Sequence, residues 1–428
     1  MYISLSNTPP SAKGTDAAPR RRGIRTVSST VVVLGVVSLL TDISSESVAA
    51  ILPLYITGVL GLSTIAFGFL DGLHQGVSAV VRIGSGYVSD RTDRPKWVAF
   101  SGYALAAAAR VGLLFATGFS AVVAVVTADR IGKGIRTAPR DALITASSTA
   151  ENLGTSFGVH RMLDNIGAAV GPLLAFVILL LVPDGYRIVF VASLAFALIG
   201  VVILGLVVPD VRRRARSRTG SAAPRRRFDW KTVTAGPMRR VLAAAGILGL
   251  LTIGDGFVYL VLYSRSEFGA QWFPLMYVGT NLVFLALAIP LGRLSDRVGR
   301  ARVYVWGHLA LLAAYVMATL PVADIAATVL CLIFLGAFYA ATDGVLAALA
   351  AQVTTADTHG TGIAAAQTVV AVTRLISATA FGVLWYAIGR EPAMLVVAAA
   401  LVLAVPAAAV VLRPLLSRAP TLSNEELT

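Results

Sequence analysis

The chain sets out about twelve predominantly apolar runs, most of them long enough to carry a helix across the hydrocarbon core of a bilayer. Inside lipid only helices and closed barrels satisfy their own backbone hydrogen bonds. The runs show no period-two alternation, so they are read as helices rather than barrel strands. With 57% hydrophobic and 14% charged residues among 428, and a mean hydropathy of +0.78, the chain has more apolar surface than a water-soluble core hides. The expected fold class is an all-α membrane protein.

The runs fall at residues 29–60, 65–88, 98–116, 121–147, 153–182 and 188–208, then at 241–263, 272–294, 303–320, 325–353, 360–388 and 394–412. Between the two sets, residues 209–240 pack eight arginines, from Arg212 to Arg227, around Gly220, Ser221 and Pro224. That stretch reads as a cytoplasmic linker lying against anionic lipid, joining two six-helix bundles at 29–208 and 241–414. Residues 1–28 and 415–428 are then tails. Arg20, Arg21, Arg22, Arg25, Lys96, Arg136, Arg140, Arg293 and Arg302 crowd one side, whereas the other shows only Arg187, Arg265 and Arg390. Positive residues stay inside, which puts both termini in the cytoplasm. The net charge of +14 is thus topology rather than a nucleic-acid footprint. Asp42 and Glu46 interrupt the first run, so it is expected to be a retained helix and not a cleaved signal. Cys331 is the lone cysteine, which leaves no disulfide or thiolate metal site. Arg outnumbers Lys and Ala is abundant, a composition of GC-rich bacteria, so a bacterial cytoplasmic membrane is the expected location.

One short signature occurs twice, as GYVSDRTDRPK from Gly86 to Lys96 and GRLSDRVGRAR from Gly292 to Arg302. The duplicated box resembles the loop signature of the major facilitator superfamily between helices 2 and 3 and between 8 and 9. That resemblance implies twelve helices in two pseudo-symmetric bundles and secondary transport. Asp93 and Pro95 depart from the pattern in the first box, whereas Gly292, Asp296, Arg297, Gly299 and Arg300 keep it in the second. In the fifth run Gly158, Gly167, Gly171 and Pro172, with Asp164 among them, resemble the signature of drug and metabolite antiporters, although Ala175 and Phe176 replace its trailing glycines. Gly167 and Gly171 also form a small-residue groove suited to close helix packing. DRIGKGIRTAPRDALI in the fourth run, with Arg130, Gly134 and Ala138, resembles the family's helix-4 pattern, in which an embedded Arg takes part in proton transfer. Together with SLLTDISSE in the first run it resembles a bacterial subgroup that includes magnetosome-associated permeases, which keeps iron among the candidate cargoes.

Charges within the runs carry the mechanism. An ionised side chain at mid-membrane costs roughly 2.5 to 3.5 kcal/mol on insertion scales, so each needs a partner, a wet cavity or a task. Asp42 and Glu46 share one helical stripe, as do Asp71, Gln75, Ser78 and Arg82, and likewise Asp129, Lys133, Arg136 and Arg140. Two carboxylates one turn apart in low dielectric repel each other, which favours a proton on one of them. Asp42, Glu46 and Asp71 are therefore the candidate proton carriers, with Arg130 expected to stabilise the deprotonated form. Tyr55, Asp255, Tyr259, Asn281, Tyr339, Asp343, Gln367 and Arg374 are candidate walls of a midplane substrate cavity.

For the gate, Asp90 and Asp296 are placed to cap a helix of the opposite half when the cytoplasmic side closes. Gly86, Arg91, Arg94, Gly292, Arg297 and Arg300 complete the two boxes. GKG at residues 132–134 lacks the remainder of a phosphate loop, and His74, His160, His308 and His359 are scattered. The chain is thus expected to be no enzyme and to need neither cofactor nor metal. It reads as a monomeric proton-coupled antiporter exporting a small molecule. An iron or iron-chelate permease is the alternative within transport, and an uncoupled receptor or lipid translocator the alternative outside it.

Overall fold

The computed structural model describes residues 27–91, 94–149, 152–210, 236–321, 324–355 and 358–416, apart from the side chains of 79, 80, 82–91 and 324. These residues form thirteen helices. The first set is α1 Ser29–Leu54, α2 Thr64–Arg91, α3 Pro95–Phe115, α4 Phe119–Ala146, α5 Leu153–Leu181 and α6 Tyr186–Leu206. The second is α7 Gly236–Gly249, α8 Asp255–Arg265, α9 Phe273–Val298, α10 Arg300–Thr319, α11 Asp324–Gln352, α12 His359–Ile388 and α13 Arg390–Leu416. Among the described residues nine helical stretches are long and apolar enough to cross a membrane; the charge-bearing α2 and α4 and the short α7 and α8 are not among them. The 211–235 portion of the basic linker lies outside the described residues.

Local chemistry sets the boundaries. Proline opens α3 and α9, where its missing N–H has no helical partner to lose. Gly299 and Gly389, at φ 103° and 86°, turn the chain between α9 and α10 and between α12 and α13. After Pro53 the end of α1 loosens into a π-helical turn over Tyr55–Val59.

The seventh run departs from the expected single helix at 241–263. It stops at Gly249 and restarts at Asp255, across the sequence Thr252-Ile253-Gly254. A break at this depth frees backbone groups that lipid cannot satisfy, and Tyr315 of α10 takes them up. Ile253 N–H donates to its hydroxyl at 2.9 Å, and the hydroxyl donates to Leu251 O at 3.1 Å. Asp255 thereby becomes the first residue of a half-helix, at its positive end.

Within the first set α1 packs on α5 and α6, and α4 on α2 and α3; within the second α11 packs on α9 and α10, and α7 on α12 and α13. The sets meet where α2 lies along α12 and α5 along α9. A Cβ on Gly68 would strike the carbonyl of Ala378, and one on Gly72 would come within 2.8 Å of Leu375 O, so the two backbones are in contact there. Phe67, Phe257 and Phe381 stack edge to face over the same seam at 4.7 and 4.8 Å, and Phe176 meets Trp272 at 5.5 Å. All these contacts lie toward the end of the molecule away from the loop boxes. On the outside α6 and α13 expose Val191, Leu198, Val202, Leu403 and Val410, an apolar surface fit for lipid.

Gly167 and Gly171 are the groove that lets α1 approach α5. A Cβ on the first would lie 2.5 Å from Leu39 O, and one on the second 2.8 Å from Ser47 N. Gly158 faces open space instead. Gly167→Val should therefore cost about 1 to 3 kcal/mol by overpacking. Thermal unfolding of the purified protein in detergent checks this, with Gly158→Ala expected to hold the midpoint or raise it slightly.

Candidate functional site

The basic stripe of α4 is matched rung by rung with carboxylates. Asp129 is gripped by Arg110 of α3 at 2.9 Å and by its neighbour Arg130 at 2.5 Å, all three nearly excluded from solvent. One turn on, Lys133 lies 3.8 Å from Glu46, and Arg136 lies 3.6 Å from Asp42 with its guanidinium over the Tyr103 ring. At the loop-box end Arg140 reaches Asp164 at 3.7 Å, while Ser38 donates to the same carboxylate at 2.8 Å. Arg161 adds a half-exposed contact to Asp164 at 3.6 Å.

The ladder corrects one expectation. Arg130 does not reach the carboxylates of α1; they take Arg136 and Lys133, and Arg130 is committed to Asp129. The reason is angular: Lys133 and Arg136 share the stripe of Asp129, whereas Arg130 is rotated from it by about 100°.

The second set carries the open space. A cavity of about 300 Å³ between α7, α10, α11 and α12 is lined by Thr252, Tyr304, His308, Asp343, Gln367 and Arg374, with Gln75 reaching in from α2. A second cavity of about 200 Å³ is lined by Asp255, Tyr259, Tyr277, Thr280, Asn281, Tyr339 and Asp343. Asp343 borders both. A polar chain crosses from one set to the other: Gln75 Nε2 donates to Asp71 Oδ2 at 3.3 Å, and Arg374 Nη1 donates to Gln75 Oε1 at 3.4 Å. The Arg374 guanidinium sits 5.6 Å from the centre of the Tyr339 ring, and Tyr339 donates to Asp255 at 2.5 Å. Asp71 also lies so close to Gly254, in the break of the seventh run, that a Cβ there would strike its carboxylate. Asp255, Tyr259, Asn281, Tyr339, Asp343, Gln367 and Arg374 therefore converge, with Asp71 beside them.

Tyr55 does not join them. It is buried against Tyr186 and Phe190 of α6. Gln75, Tyr277, Tyr304 and Tyr315 are site residues that the sequence reading did not nominate; Gln75 was legible only as a member of the Asp71 stripe. His160 is buried with neither ring nitrogen hydrogen-bonded. Among the described residues no three His, Cys, Asp or Glu side chains form a metal-holding group.

Of the loop boxes, the surroundings of Gly86 and the side chains of Asp90 and Arg91 lie outside what is described. Arg94 is exposed just before α3, and Arg297 is exposed near the end of α9. Gly292 has open space around it. Asp296 pairs with Arg300 at 3.2 Å, and Arg300 also donates to Ala348 O of α11 at 3.0 Å, so the second box is tied within its own set.

The Asp129 triad gives a direct test of charge pairing. Asp129→Asn leaves two buried guanidinium groups facing each other and should destabilise by about 3 to 5 kcal/mol. Arg161→Ala, at an exposed position, should stay within about 0.5 kcal/mol. Unfolding of both variants in detergent measures the difference.

The sequence profile of the Major Facilitator Superfamily matches residues 34–280 and 266–427. An uncharacterized MFS-type transporter of Methanocaldococcus jannaschii is 28% identical over 372 residues, covering 84% of this chain and 89% of the relative. An uncharacterized protein of Mycobacterium tuberculosis is 33% identical over 144 residues, 33% of this chain and 35% of its own. In structure the chain is similar to the nucleoside transporter NupG at a TM-score of 0.75, with 14% identity over 90% of this chain and 100% of that one. It is likewise similar to a bacterial homologue of the human lysosomal transporter Spinster, in an inward-facing and unoccupied conformation, at a TM-score of 0.73, with 15% identity over 92% and 98% of the two chains. With the profile spanning nearly all of its helices, the chain belongs to the major facilitator superfamily and is a multi-pass membrane transporter.

Proposed function

We propose that this transporter is a proton-coupled antiporter that exports a small molecule across a bacterial cytoplasmic membrane. The excess of Arg and Lys on the loop-box side supports placing that side and both termini in the cytoplasm. Residues 29–208 and 241–414 then act as two halves rocking about a site at mid-membrane, joined by the linker at 209–240. On this reading the described state faces inward, since the contacts of α2 with α12 and of α5 with α9 gather toward the outer end. Asp90 and Asp296 would cap the opposite half only when the cytoplasmic mouth closes.

The observation that carries the reading is the meeting of Asp71 from α2 with Asp255 from the half-helix α8. Both lie on one polar chain with Arg374 as its sole guanidinium. Asp71, Asp255 and Asp343 outnumber the positive charge available to them, so the site holds a negative excess whenever all three are ionised. A proton or a cationic group neutralises it, and the two compete for the same place. That competition is the physical content of antiport. Asp42 and Glu46, each beside a base of α4, offer a second proton station in the first half. One proton moving down ~100 mV supplies about 2.3 kcal/mol, enough for a roughly fifty-fold gradient of exported solute.

Proteoliposomes with an imposed pH gradient test the assignment. Asp71→Asn, Asp42→Asn and Glu46→Gln should each abolish pH-driven solute movement while the protein remains inserted and folded. Full proton-driven flux in the triple variant would sink the coupling scheme, and solute flux with no proton movement in the unaltered protein would favour an uncoupled translocator. For the gate, Asp90→Asn should move the population toward forms open to the cytoplasm by about five- to thirty-fold, the equivalent of a partly buried cap of about 1 to 2 kcal/mol. Spin-label distances across the mouth, with Cys331 first replaced by Ala, read the shift.

A further inference from the structure

Among the described residues, Arg110 and the bases of α4 differ from Arg374 of α12. Arg110, Arg130, Lys133, Arg136 and Arg140 each lie within ion-pair reach of a carboxylate. Arg374 forms no ion pair with any described carboxylate. Its one hydrogen bond is the long donation to Gln75 at 3.4 Å, and its Nε is buried with no acceptor. Guanidinium has five donors in a fixed fork, so most of this group's capacity is unused.

The same cavity holds the reciprocal orphan. Asp343 is exposed, borders both the 300 Å³ and the 200 Å³ spaces, and makes no hydrogen bond or ion pair with a described residue. Arg374 and Asp343 feel each other's charge but do not close on one another. The buried Arg374 Nε lacks an acceptor that would offset its lost hydration, and the exposed carboxylate of Asp343 stays open to a ligand. A chain that pairs Arg110 and the bases of α4 with carboxylates has kept this cation and this anion separate, across a space of about ten water volumes.

We infer that the transported solute is amphoteric, with an anionic group received by Arg374 and a cationic amine received by Asp343. The inference rests on the transport reading and names its substrate class. Gln75 and Gln367 stand beside Arg374 as further polar partners for a carboxylate or phosphate. Beyond Asp343, the second cavity offers the faces of Tyr259, Tyr277 and Tyr339 with the carboxylate of Asp255, surroundings that favour an ammonium through ring quadrupole and charge alike. The two ends impose direction: the anion lies toward α12, and the amine toward α8 and α9. A simple organic cation would leave Arg374 unsatisfied, and a simple anion would leave Asp343 so. Either loses one charge-assisted contact, worth about ten- to a hundred-fold in affinity.

The test uses the full-length protein in detergent and in liposomes, with ω-aminoalkanoates of four to eight carbons as probes. Matched n-alkylamines and n-alkanoates are the controls. The aminoalkanoate of best length should raise the thermal midpoint at a concentration at least about tenfold below that of either control. Arg374→Gln should remove its advantage over the alkylamine, and Asp343→Asn its advantage over the alkanoate. Arg374→Lys and Asp343→Glu should retain part of each, which separates charge recognition from a folding defect. Equal stabilisation by alkylamines would make the site one for organic cations, equal stabilisation by alkanoates one for anions, and no response to any aminoalkanoate would likewise overturn the inference. If an alkylamine alone exchanges with protons in the liposomes, the amphoteric class fails while antiport stands. If an aminoalkanoate binds and crosses with no proton movement, antiport fails while the class stands.

Discussion

Low dielectric makes an unpaired charge expensive, and the way this chain distributes its pairs organises everything else in the molecule. On α4 the cost is met by matching: Asp129 takes two guanidinium groups, Lys133 takes Glu46 and Arg136 takes Asp42. These pairs tie α4 to α1 and α3, while Arg140 and Asp164 bring in α5. The result is a braced first set in which the charges serve as cross-links between helices. In the second set Arg374 and Asp343 have no such partners, and there the space is. Bracing on one side and vacancy on the other is a natural arrangement for a site that must bind and release.

Backbone satisfaction is the second constraint, and it explains why Asp255 can serve. A carboxylate in the middle of a continuous helix has no helix N-terminus beside it. Breaking the seventh run at Thr252 to Gly254 turns Asp255 into the opening residue of α8, stabilised by the positive end of that half-helix and bonded to Tyr339. The break is tolerated because the Tyr315 hydroxyl both accepts from Ile253 and donates to Leu251. Gly254 then leaves room for Asp71 to come in from the other set. A single tyrosine on α10 thus supports the geometry that brings Asp71 and Asp255 together.

The seam between the sets follows from small and aromatic residues. Gly68 and Gly72 let α2 touch the backbone of α12, while the phenylalanines at 67, 257 and 381 fill the remaining gap. Such contacts are short-range and apolar, with the Thr64 to Gly382 and Arg374 to Gln75 hydrogen bonds crossing the same pair of helices. The ladder of the first set, by contrast, is made of ion pairs.

The amino-acid order by itself determined the solvent, the helices and the inventory of charges. Apolar length fixes a membrane span, helical period fixes the face a residue occupies, and the duplicated boxes mark equivalent turns in the two sets. Hence Asp42, Glu46, Asp255, Tyr339, Asp343 and Arg374 were all visible as candidates, as was the groove at Gly167 and Gly171. The neighbour each face meets was not visible, because period gives an angle about one axis and says nothing of which axis lies alongside. Tertiary packing therefore decided that Arg130 serves Asp129, that Tyr55 turns into α6, and that the seventh run breaks where Tyr315 can hold it. It also decided which charges stay apart: Arg374 and Asp343 are ordinary intramembrane charges in sequence, and only the arrangement of α11 and α12 leaves them facing a cavity unpaired.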